Sequence, residues 1–347
     1  IDLASGKLQK IHYFCTQRDS LTKVYRHFHI LFMAKRIAVS ITYVVIWLFS
    51  LIPLCLMHLI SDILVLLCFL IPPLRYRKKI VQKNLKSSFP DKSHKELLLL
   101  EMKFYRNFFD VAFESIKACS MSPRWMKRHM EFHGLEKIYK FLEEGRSVMA
   151  YMGHNANWEW VSTLPTQLMP QYTVAQVYHV LENSVMNDVI LKIRGAYGAE
   201  SIPMEKVLRQ LLLYKQEGKQ FIVGMIADQV PLMRNIHYWT DFLNHNTPIF
   251  TGAERIARKL DLAVIYAEVV RVKRGHYHCI VHTMFEDSAN LADFAITEEY
   301  IRRLERTIKN NPANWLWSHN RWKRTWEGYQ KYLKRMEEKH QRASKSS

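Results

Sequence analysis

The stretch SVMAYMGHNANWEW, residues 147–160, decides how the rest of the chain is interpreted. An apolar run typical of a buried β-strand, residues 147–152, stops at Gly153 and is followed by His154 in a polar turn. A helical pattern then begins at Trp158. Because ligands bind at the carboxyl ends of strands in open α/β sheets, we expect His154 to lie at a functional edge.

A carboxylate, Glu159, lies five positions after the histidine in the sequence. A histidine paired with a carboxylate suits general-base catalysis, because the carboxylate fixes the imidazole tautomer and stabilises the cation that forms. On an ideal helix a five-residue separation falls well off one face, so His154 must lie in the turn and Glu159 in the first helical turn. The spacing alone is a weak signal, and a histidine that only caps the helix is an equal alternative.

The composition limits the class of protein. A chain of 347 residues accommodates one large domain or two small ones, and a hydrophobic content of 48% is ordinary for a globular core. The net charge of +18 suits nucleic acid, anionic lipid headgroups or an acidic protein partner. The five cysteines are odd in number and scattered, which indicates neither a disulfide framework nor a metal site and fits a reducing, cytoplasm-facing location.

The N-terminal region divides at a long apolar run. Residues 1–36 are predicted to comprise an upstream extension and the natural start of the protein at Met33. Residues 37–74 are predicted to form a membrane anchor. Residues 41–60 alone supply the roughly 20 apolar residues that cross a bilayer, and the run is too long for a signal-peptide core. One tilted helix and a hairpin kinked near Pro53 are both compatible with it, with a buried core helix as the third alternative.

Basic residues crowd the exit from this run. They are Arg75, Arg77, Lys78, Lys79, Lys83 and Lys86. The positive-inside rule predicts that this side faces the cytoplasm, and the same cluster suits anionic lipid.

Beyond the cluster, apolar strand-like runs alternate with helical patterns. A second such run, residues 220–227, ends in Asp228-Gln229, so these residues are predicted to share the sheet edge of His154. The alternation predicts an α/β fold with a mostly parallel sheet flanked by helices. Asp110 and Glu114, one helical turn apart, are expected on a solvated helix face, with a functional pair as the less favoured alternative. Neither a GxGxxG nor a Walker loop occurs, so nucleotide binding has no support.

Several separate motifs occur in the order found in one family. Asn84-Leu85 and Phe89-Pro90 are followed by Gly153-His154-x4-Glu159, Arg194, Asp228-Gln229, Thr251-Gly252 and Trp315-Leu316-Trp317-x-His319-x-Arg321-Trp322-Lys323. Over residues 37–326 the chain resembles the late acyltransferases of lipid A biosynthesis, of the HtrB type in the lysophospholipid-acyltransferase-like superfamily. Each motif alone is weak, but the ordered set is specific.

The resemblance implies what each residue does. His154 would take the proton from the acceptor hydroxyl, and Glu159 would orient it. Arg194 would hold a phosphate or the developing oxyanion, and Asp228, Gln229 and Arg321 would support substrate binding. Residues 75–326 would form a glycerolipid-acyltransferase-like domain, with residues 327–347 as a basic tail.

The resemblance also implies the substrates and the location. The acyl donor would be acyl carrier protein or an acyl-CoA, and the acceptor a lipid A precursor or another membrane lipid. Neither a metal nor a resident cofactor is implied, because a thioester is already activated. The catalytic domain is expected on the cytoplasmic face of the bacterial inner membrane, with no nucleic-acid partner.

The turn departs from the family pattern, which often has phenylalanine and glycine where this chain has Asn155-Ala156-Asn157. Acylation of a different glycolipid, phospholipid or aminolipid therefore stays open. A hydrolase is disfavoured because the chain lacks a GxSxG nucleophile elbow, and the histidines lack the HExxH spacing of a metallo-hydrolase. A non-catalytic membrane or nucleic-acid binder is the remaining alternative, based on the aromatic and basic run near residue 315.

Overall fold

A computed structural model describes residue 29 and residues 32–345 of the chain. The predicted upstream extension falls almost wholly outside these residues, so that prediction stays untested. The prediction of an α/β fold with a mostly parallel sheet and an N-terminal apolar helix is confirmed.

The centre of the fold is a seven-stranded sheet with the strand order β1-β9-β8-β2-β5-β3-β4. Every neighbouring pair in this sheet is parallel except β8 and β9, which form an antiparallel hairpin. Its strands are β1 (Met130–His133), β2 (Val148–Met152), β3 (Thr173–Tyr178), β4 (Glu200–Pro203), β5 (Phe221–Ile226), β8 (Ala263–Lys273) and β9 (His276–Phe285). A short separate hairpin consists of β6 (Trp239–Phe242) and β7 (His245–Pro248).

Helices cover both faces of the sheet, and this explains why β2 is apolar at every position and buried throughout. The helices are α3 (Lys78–Ser88), α4 (His94–Lys117), α5 (Pro123–Lys127), α6 (Leu135–Glu143), α7 (Ser184–Arg194), α8 (Val207–Gln216), α9 (Gly252–Leu260), α10 (Ala295–Asn310) and α11 (Trp326–Lys345). A 3-10 helix, Trp158–Gln167, follows β2 in place of the expected α-helical turn. Two apolar cores form, one on each face of the sheet.

The N-terminal apolar run is broken rather than continuous. Helix α1, Phe32–Ser50, is followed by a break at residues 51–53 and by helix α2, Leu54–Leu70. The break includes Pro53, which has no backbone N–H and ends a helix that would otherwise continue. The break lies where the kinked alternative placed its bend, and the helix that precedes it is Phe32–Ser50 rather than residues 41–60.

The two N-terminal helices differ in burial. Helix α1 is long and apolar enough to cross a membrane by length and composition, with a mean hydropathy of 1.6 over an 18-residue window in which 0% of the residues are buried. Helix α2 is shorter and packs against α4, burying His58, Ser61 and Val65 among others. Helix α1 touches the rest of the chain on one side, where Lys35 pairs with Asp188 and Phe49 stacks on Phe113, and its other side is exposed.

Candidate active site

The site lies at the carboxyl edge of the sheet, where β2 and β5 run side by side. These two strands pair in parallel with Met152 opposite Ile226, so the residues that follow them emerge together. Gly153 and His154 follow β2, and Asp228 and Gln229 follow β5. The prediction that these residues share one edge of the sheet is confirmed.

Asp228 is the carboxylate that binds the ring of His154. Its Oδ1 lies 2.6 Å from the histidine Nδ1, and its Oδ2 accepts a hydrogen bond of 2.8 Å from the His154 backbone N–H. The indole N–H of Trp315 also donates to Oδ2, at 2.8 Å. A carboxylate on Nδ1 fixes that nitrogen as the protonated one and leaves the lone pair on Nε2.

The electrostatics keep Asp228 ionised although it is buried. Burial alone would raise its pKa, but the adjacent His154 ring and the three hydrogen bonds lower the pKa to about 2. The carboxylate is therefore negative at neutral pH and stabilises an imidazolium formed on His154.

Glu159 does not make the contact with His154 that the sequence led us to expect. Its two carboxylate oxygens accept hydrogen bonds from Nε and Nη2 of Arg194, at 2.8 and 2.6 Å. The indole N–H of Trp158 donates to one of them at 3.2 Å. The physical reason is that Asp228, arriving on the neighbouring strand, already occupies Nδ1 of the ring.

The pair of Glu159 and Arg194 is a bidentate ion pair inside the site. Burial would raise the pKa of Glu159, but the hydrogen bonds and the charge of Arg194 lower it, and Glu159 raises the pKa of the arginine against its own burial. Both side chains line the same cavity as His154. The structure thus brings Arg194 to the site, as predicted from the sequence.

Gln229 reaches the other side of the histidine ring. Its amide Nε2 lies 3.3 Å from Nε2 of His154, so the amide donates to the lone pair that would act as the base. Arg321, in contrast, is 0% exposed and donates to the carbonyl oxygen of Pro248 at 2.8 Å. Burial lowers its pKa to about 10, and it does not line the cavity.

A deep apolar cavity begins at this edge. Its volume is about 810 Å³, within the size range of small-molecule sites. His154, Glu159, Arg194 and Gln229 contribute polar groups to its lining. Its apolar lining includes Phe132, Ile138, Ala150, Ile222, Gly224 and Ile265. An extended hydrocarbon chain fits a lining of this kind.

A glycine is required where the turn leaves β2. A Cβ added at Gly153 would collide with the side chain of Leu304 on α10. This close approach of helix and turn holds the backbone next to His154, so the glycine of the motif has a packing reason.

The turn after His154 is anchored by a buried polar network that the sequence did not predict. Glu114 is 0% exposed and accepts hydrogen bonds from Asn157 (2.8 Å), Tyr277 (2.7 Å) and His58 (2.9 Å). Asp110 is also buried and binds Arg271 and Arg274. The expectation of a solvated face was therefore wrong. Glu114 continues the helical spacing of Phe104 and Val111, and that periodicity was the available signal.

The C-terminal motif closes the site from the other side. Nδ2 of Asn84 donates to the carbonyl oxygens of Trp317 and His319, each at 2.8 Å. Nε2 of His319 accepts from the backbone N–H of Val230 at 3.2 Å. The separate sequence motifs are thus parts of one framework around His154 and Asp228.

Part of the basic cluster after the apolar run has internal partners. Arg75 binds Glu101 and lies over the ring of Phe69, and Arg77 donates to the carbonyl oxygen of Ser318. Lys79, Lys83 and Lys86 are exposed. The exposed lysines are the members of the cluster free to meet an anionic surface.

The fold and the site define an α/β enzyme with a histidine and aspartate pair at the mouth of an apolar cavity, preceded by an apolar helix. The chain matches the model of the bacterial lipid A biosynthesis acyltransferase family over residues 25–324, and it belongs to that family. It is therefore an acyltransferase, and the family implies a lipid A precursor and an acyl donor as substrates. A comparison with curated proteins found no match.

Proposed function

We propose that this protein transfers a fatty acyl chain from the thioester of acyl carrier protein to a hydroxyl of a lipid A precursor. The observation that carries the proposal is the position of His154, whose Nδ1 is held by Asp228 while its ring lines the apolar cavity. Family membership supplies the reaction class. The acyl carrier protein donor and the hydroxyl acceptor are the parts that the proposal adds.

The reaction needs one base and no covalent enzyme intermediate. Nε2 of His154 takes the proton from the acceptor hydroxyl while the hydroxyl oxygen attacks the thioester carbonyl carbon. The tetrahedral intermediate then collapses, the carbon–sulfur bond breaks, and the imidazolium returns its proton to the departing thiolate. The amide of Gln229, now on Nε2, has to give way to the acceptor hydroxyl.

Asp228 orients and stabilises the base in this mechanism. It holds the Nδ1–H tautomer before proton transfer and balances the imidazolium afterwards, as the aspartate does in a serine protease triad. The role first expected of Glu159 is thus assigned to a carboxylate on the neighbouring strand.

Glu159 is proposed to act through Arg194. The carboxylate engages Nε and Nη2 of the guanidinium, which leaves Nη1 without a partner among residues 32–345. A fixed guanidinium beside the histidine suits a phosphate of either substrate or the oxyanion that develops on the thioester carbonyl.

The charge and the N-terminal helix support the location and the partner. Acyl carrier protein is acidic and lipid A precursors carry phosphates, so a chain with a net charge of +18 attracts both. Helix α1 is proposed to anchor the enzyme in the bacterial inner membrane, with the acyltransferase domain on the cytoplasmic face beside the basic cluster.

Two observations bear on the alternatives. Asn155 donates to the carbonyl oxygen of Val269 and Asn157 to Glu114, so the unusual turn residues support the backbone. Both side chains are buried, which keeps them from contacting a different acceptor lipid. Trp315 and Trp317 are buried, which leaves neither indole available to stack on nucleic-acid bases and weighs against a nucleic-acid binder.

A mass-spectrometric acylation assay tests the proposal. Membranes with the wild type or His154→Ala receive loaded acyl carrier protein or acyl-CoA and a lipid A precursor, with total native lipids in parallel. A His154-dependent acylated lipid A from the carrier protein supports the whole proposal. If product forms only from acyl-CoA, acyl carrier protein is not the donor. If product forms only among other lipids, a lipid A precursor is not the acceptor. No His154-dependent product in any arm would overturn the mechanism.

A further inference from the structure

Three metal-ligating side chains converge on one face of the paired strands β1 and β9. Glu131 and His133 are two residues apart on β1 and so lie on the same face, and His278 on β9 is directly opposite Glu131 in the parallel register. One carboxylate oxygen of Glu131 lies 3.5 Å from Nε2 of His133 and 3.7 Å from Nε2 of His278. All three ligand atoms lie within 4.8 Å of one another.

These separations are close to what a bound ion requires. Zinc binds histidine nitrogen and carboxylate oxygen at about 2.0–2.2 Å, so tetrahedral ligand atoms are roughly 3.3–3.5 Å apart. The hydrogen bonds between β1 and β9 fix the two backbones. Small rotations of the three side chains are therefore enough to bring their ligand atoms to the distances that an ion requires.

The surroundings leave Glu131 available to a cation. In a chain with 50 lysines and arginines, neither type forms an ion pair with Glu131 in the described part, where its two ion-pair partners are histidines. About half of the surface of the Glu131 and His133 side chains is exposed, at 50% and 47%. An ion can therefore enter from solvent, and water can complete its coordination.

We propose that Glu131, His133 and His278 form a binding site for a divalent transition-metal ion of the zinc class. Two imidazoles and one carboxylate suit zinc, cobalt(II) and nickel(II), and poorly suit magnesium or calcium, which prefer oxygen ligands.

The site is separate from the acyl-transfer site. Phe132 and Cys279 alternate with the ligands along the two strands, are buried on the other face, and line the apolar cavity. The bound ion ties the four-residue edge strand β1 to β9 and so stiffens the wall behind that part of the cavity. It contributes stability and takes no part in the proton transfer at His154.

The test measures metal binding directly on the full-length protein in detergent, purified without a histidine tag and stripped with a chelator. Cobalt(II) is titrated and its visible absorption recorded, zinc is then added as a competitor, and the unfolding temperature is measured with and without zinc. The variants are Glu131→Gln, His133→Gln and His278→Gln. The control is His282→Gln, on the same face of β9 but paired with Glu268.

We expect one cobalt ion per chain, displaced by zinc, and a rise in the unfolding temperature with zinc. Loss of a single ligand should weaken binding by more than about tenfold, the lower end of what outer-shell changes alone cause. The control should bind like the wild type. Absence of binding at about 0.1 mM zinc, which corresponds to a binding free energy of roughly −5.5 kcal/mol, would overturn the proposal. So would ligand variants whose binding falls by less than about tenfold, or a control that loses binding.

Discussion

Asp228 holds His154 twice, through the ring Nδ1 at 2.6 Å and through the backbone N–H at 2.8 Å, although the two residues are 74 positions apart in the chain. The double contact fixes both the tautomer of the base and the turn that carries it. Trp315 donates to the same carboxylate and buries it. The proposed catalytic pair of this acyltransferase is therefore built across two neighbouring strands, and its components are not neighbours in sequence.

The first prediction concerns that pair. Asp228→Asn preserves the shape of the side chain but removes the charge and the preference for the Nδ1–H tautomer. We expect kcat to fall by about 10³- to 10⁴-fold, as when the aspartate of a serine protease triad is replaced by asparagine. The measurement is the initial rate of lipid A acylation, with circular dichroism to verify folding. A folded Asp228→Asn variant with more than about a tenth of the wild-type rate would exclude this role.

The second prediction separates two roles for Glu159. If Glu159 acts by holding Arg194, the variants Glu159→Gln and Arg194→Gln remove the same interaction, and the double variant should be little worse than either single one. The coupling free energy in kcat/KM should then lie in the range of roughly 0.5–3 kcal/mol seen for residues in contact. Additive losses would show that Glu159 works independently of Arg194, for instance through His154 directly.

The sequence predicted the sheet edge well because strand identity and strand ends are local properties. Two apolar runs that end in His154 and in Asp228-Gln229 were sufficient to place these residues together. The choice of carboxylate was not local. It depends on the parallel register that sets Met152 opposite Ile226, and on the 3-10 helix that carries Glu159 to Arg194.

Two further differences have similar causes. The burial of Asp110 and Glu114 depends on the β8–β9 hairpin, which supplies Arg271, Arg274 and Tyr277 from about 160 residues away. The amino-acid composition around Asp110 and Glu114 does not indicate that partners so distant in the sequence will bury them. The break near Pro53 could be anticipated from the proline itself, but hydropathy alone merged α1 and α2 into one run.

The third prediction concerns acyl-chain length. Gly224 lines the cavity, and an added Cβ would lie 3.9 Å from the Met152 side chain and 3.7 Å from the carbonyl oxygen of Ala175, which are ordinary contacts. Gly224→Leu should therefore be accommodated while its side chain fills part of the cavity. We expect the preferred donor to shift to shorter chains, measured by competition among acyl donors of graded length.

A neighbouring position supplies the control for chain length. Val223 is buried in the core on the opposite face of β5 and does not line the cavity. Val223→Ile adds one methylene there and should leave the donor preference unchanged, even if overpacking lowers stability by about 1–3 kcal/mol. An unchanged preference in Gly224→Leu would mean that the acyl chain does not enter this part of the cavity.

The fourth prediction is a pH dependence of stability. Burial lowers the pKa of His319 from 6.5 to about 4, and the charges of Arg321, His154 and Lys323 act in the same direction against the opposing charge of Asp228. Because the folded pKa is below the unfolded one, the unfolded state binds the proton first. Stability is complete above the unfolded pKa and is lost as the pH falls from 6.5 towards about 4.

The variant His319→Gln tests this assignment. Glutamine can still accept the hydrogen bond from the Val230 N–H, but it does not titrate. The unfolding temperature of the variant should fall less than that of the wild type between pH 6.5 and about 4. Parallel curves for the two proteins would show that His319 is not the group responsible.

The last prediction concerns Glu114, which joins α2, the turn after His154 and β9 through His58, Asn157 and Tyr277. Glu114→Ala leaves three buried polar groups without a partner and should destabilise the protein by about 3–5 kcal/mol. Glu114→Gln retains part of the network and should cost less. Since Asn157 caps the 3-10 helix that follows His154, we expect kcat to fall more than KM rises in the glutamine variant.

The matched control is Ser93→Ala, at the capped start of α4, the helix that carries Glu114. This variant should lose about 0.5–2 kcal/mol of stability without a change in kcat. If Glu114→Gln kept the kcat of Ser93→Ala and of the wild type, Glu114 would support the fold alone and would not position the turn of His154.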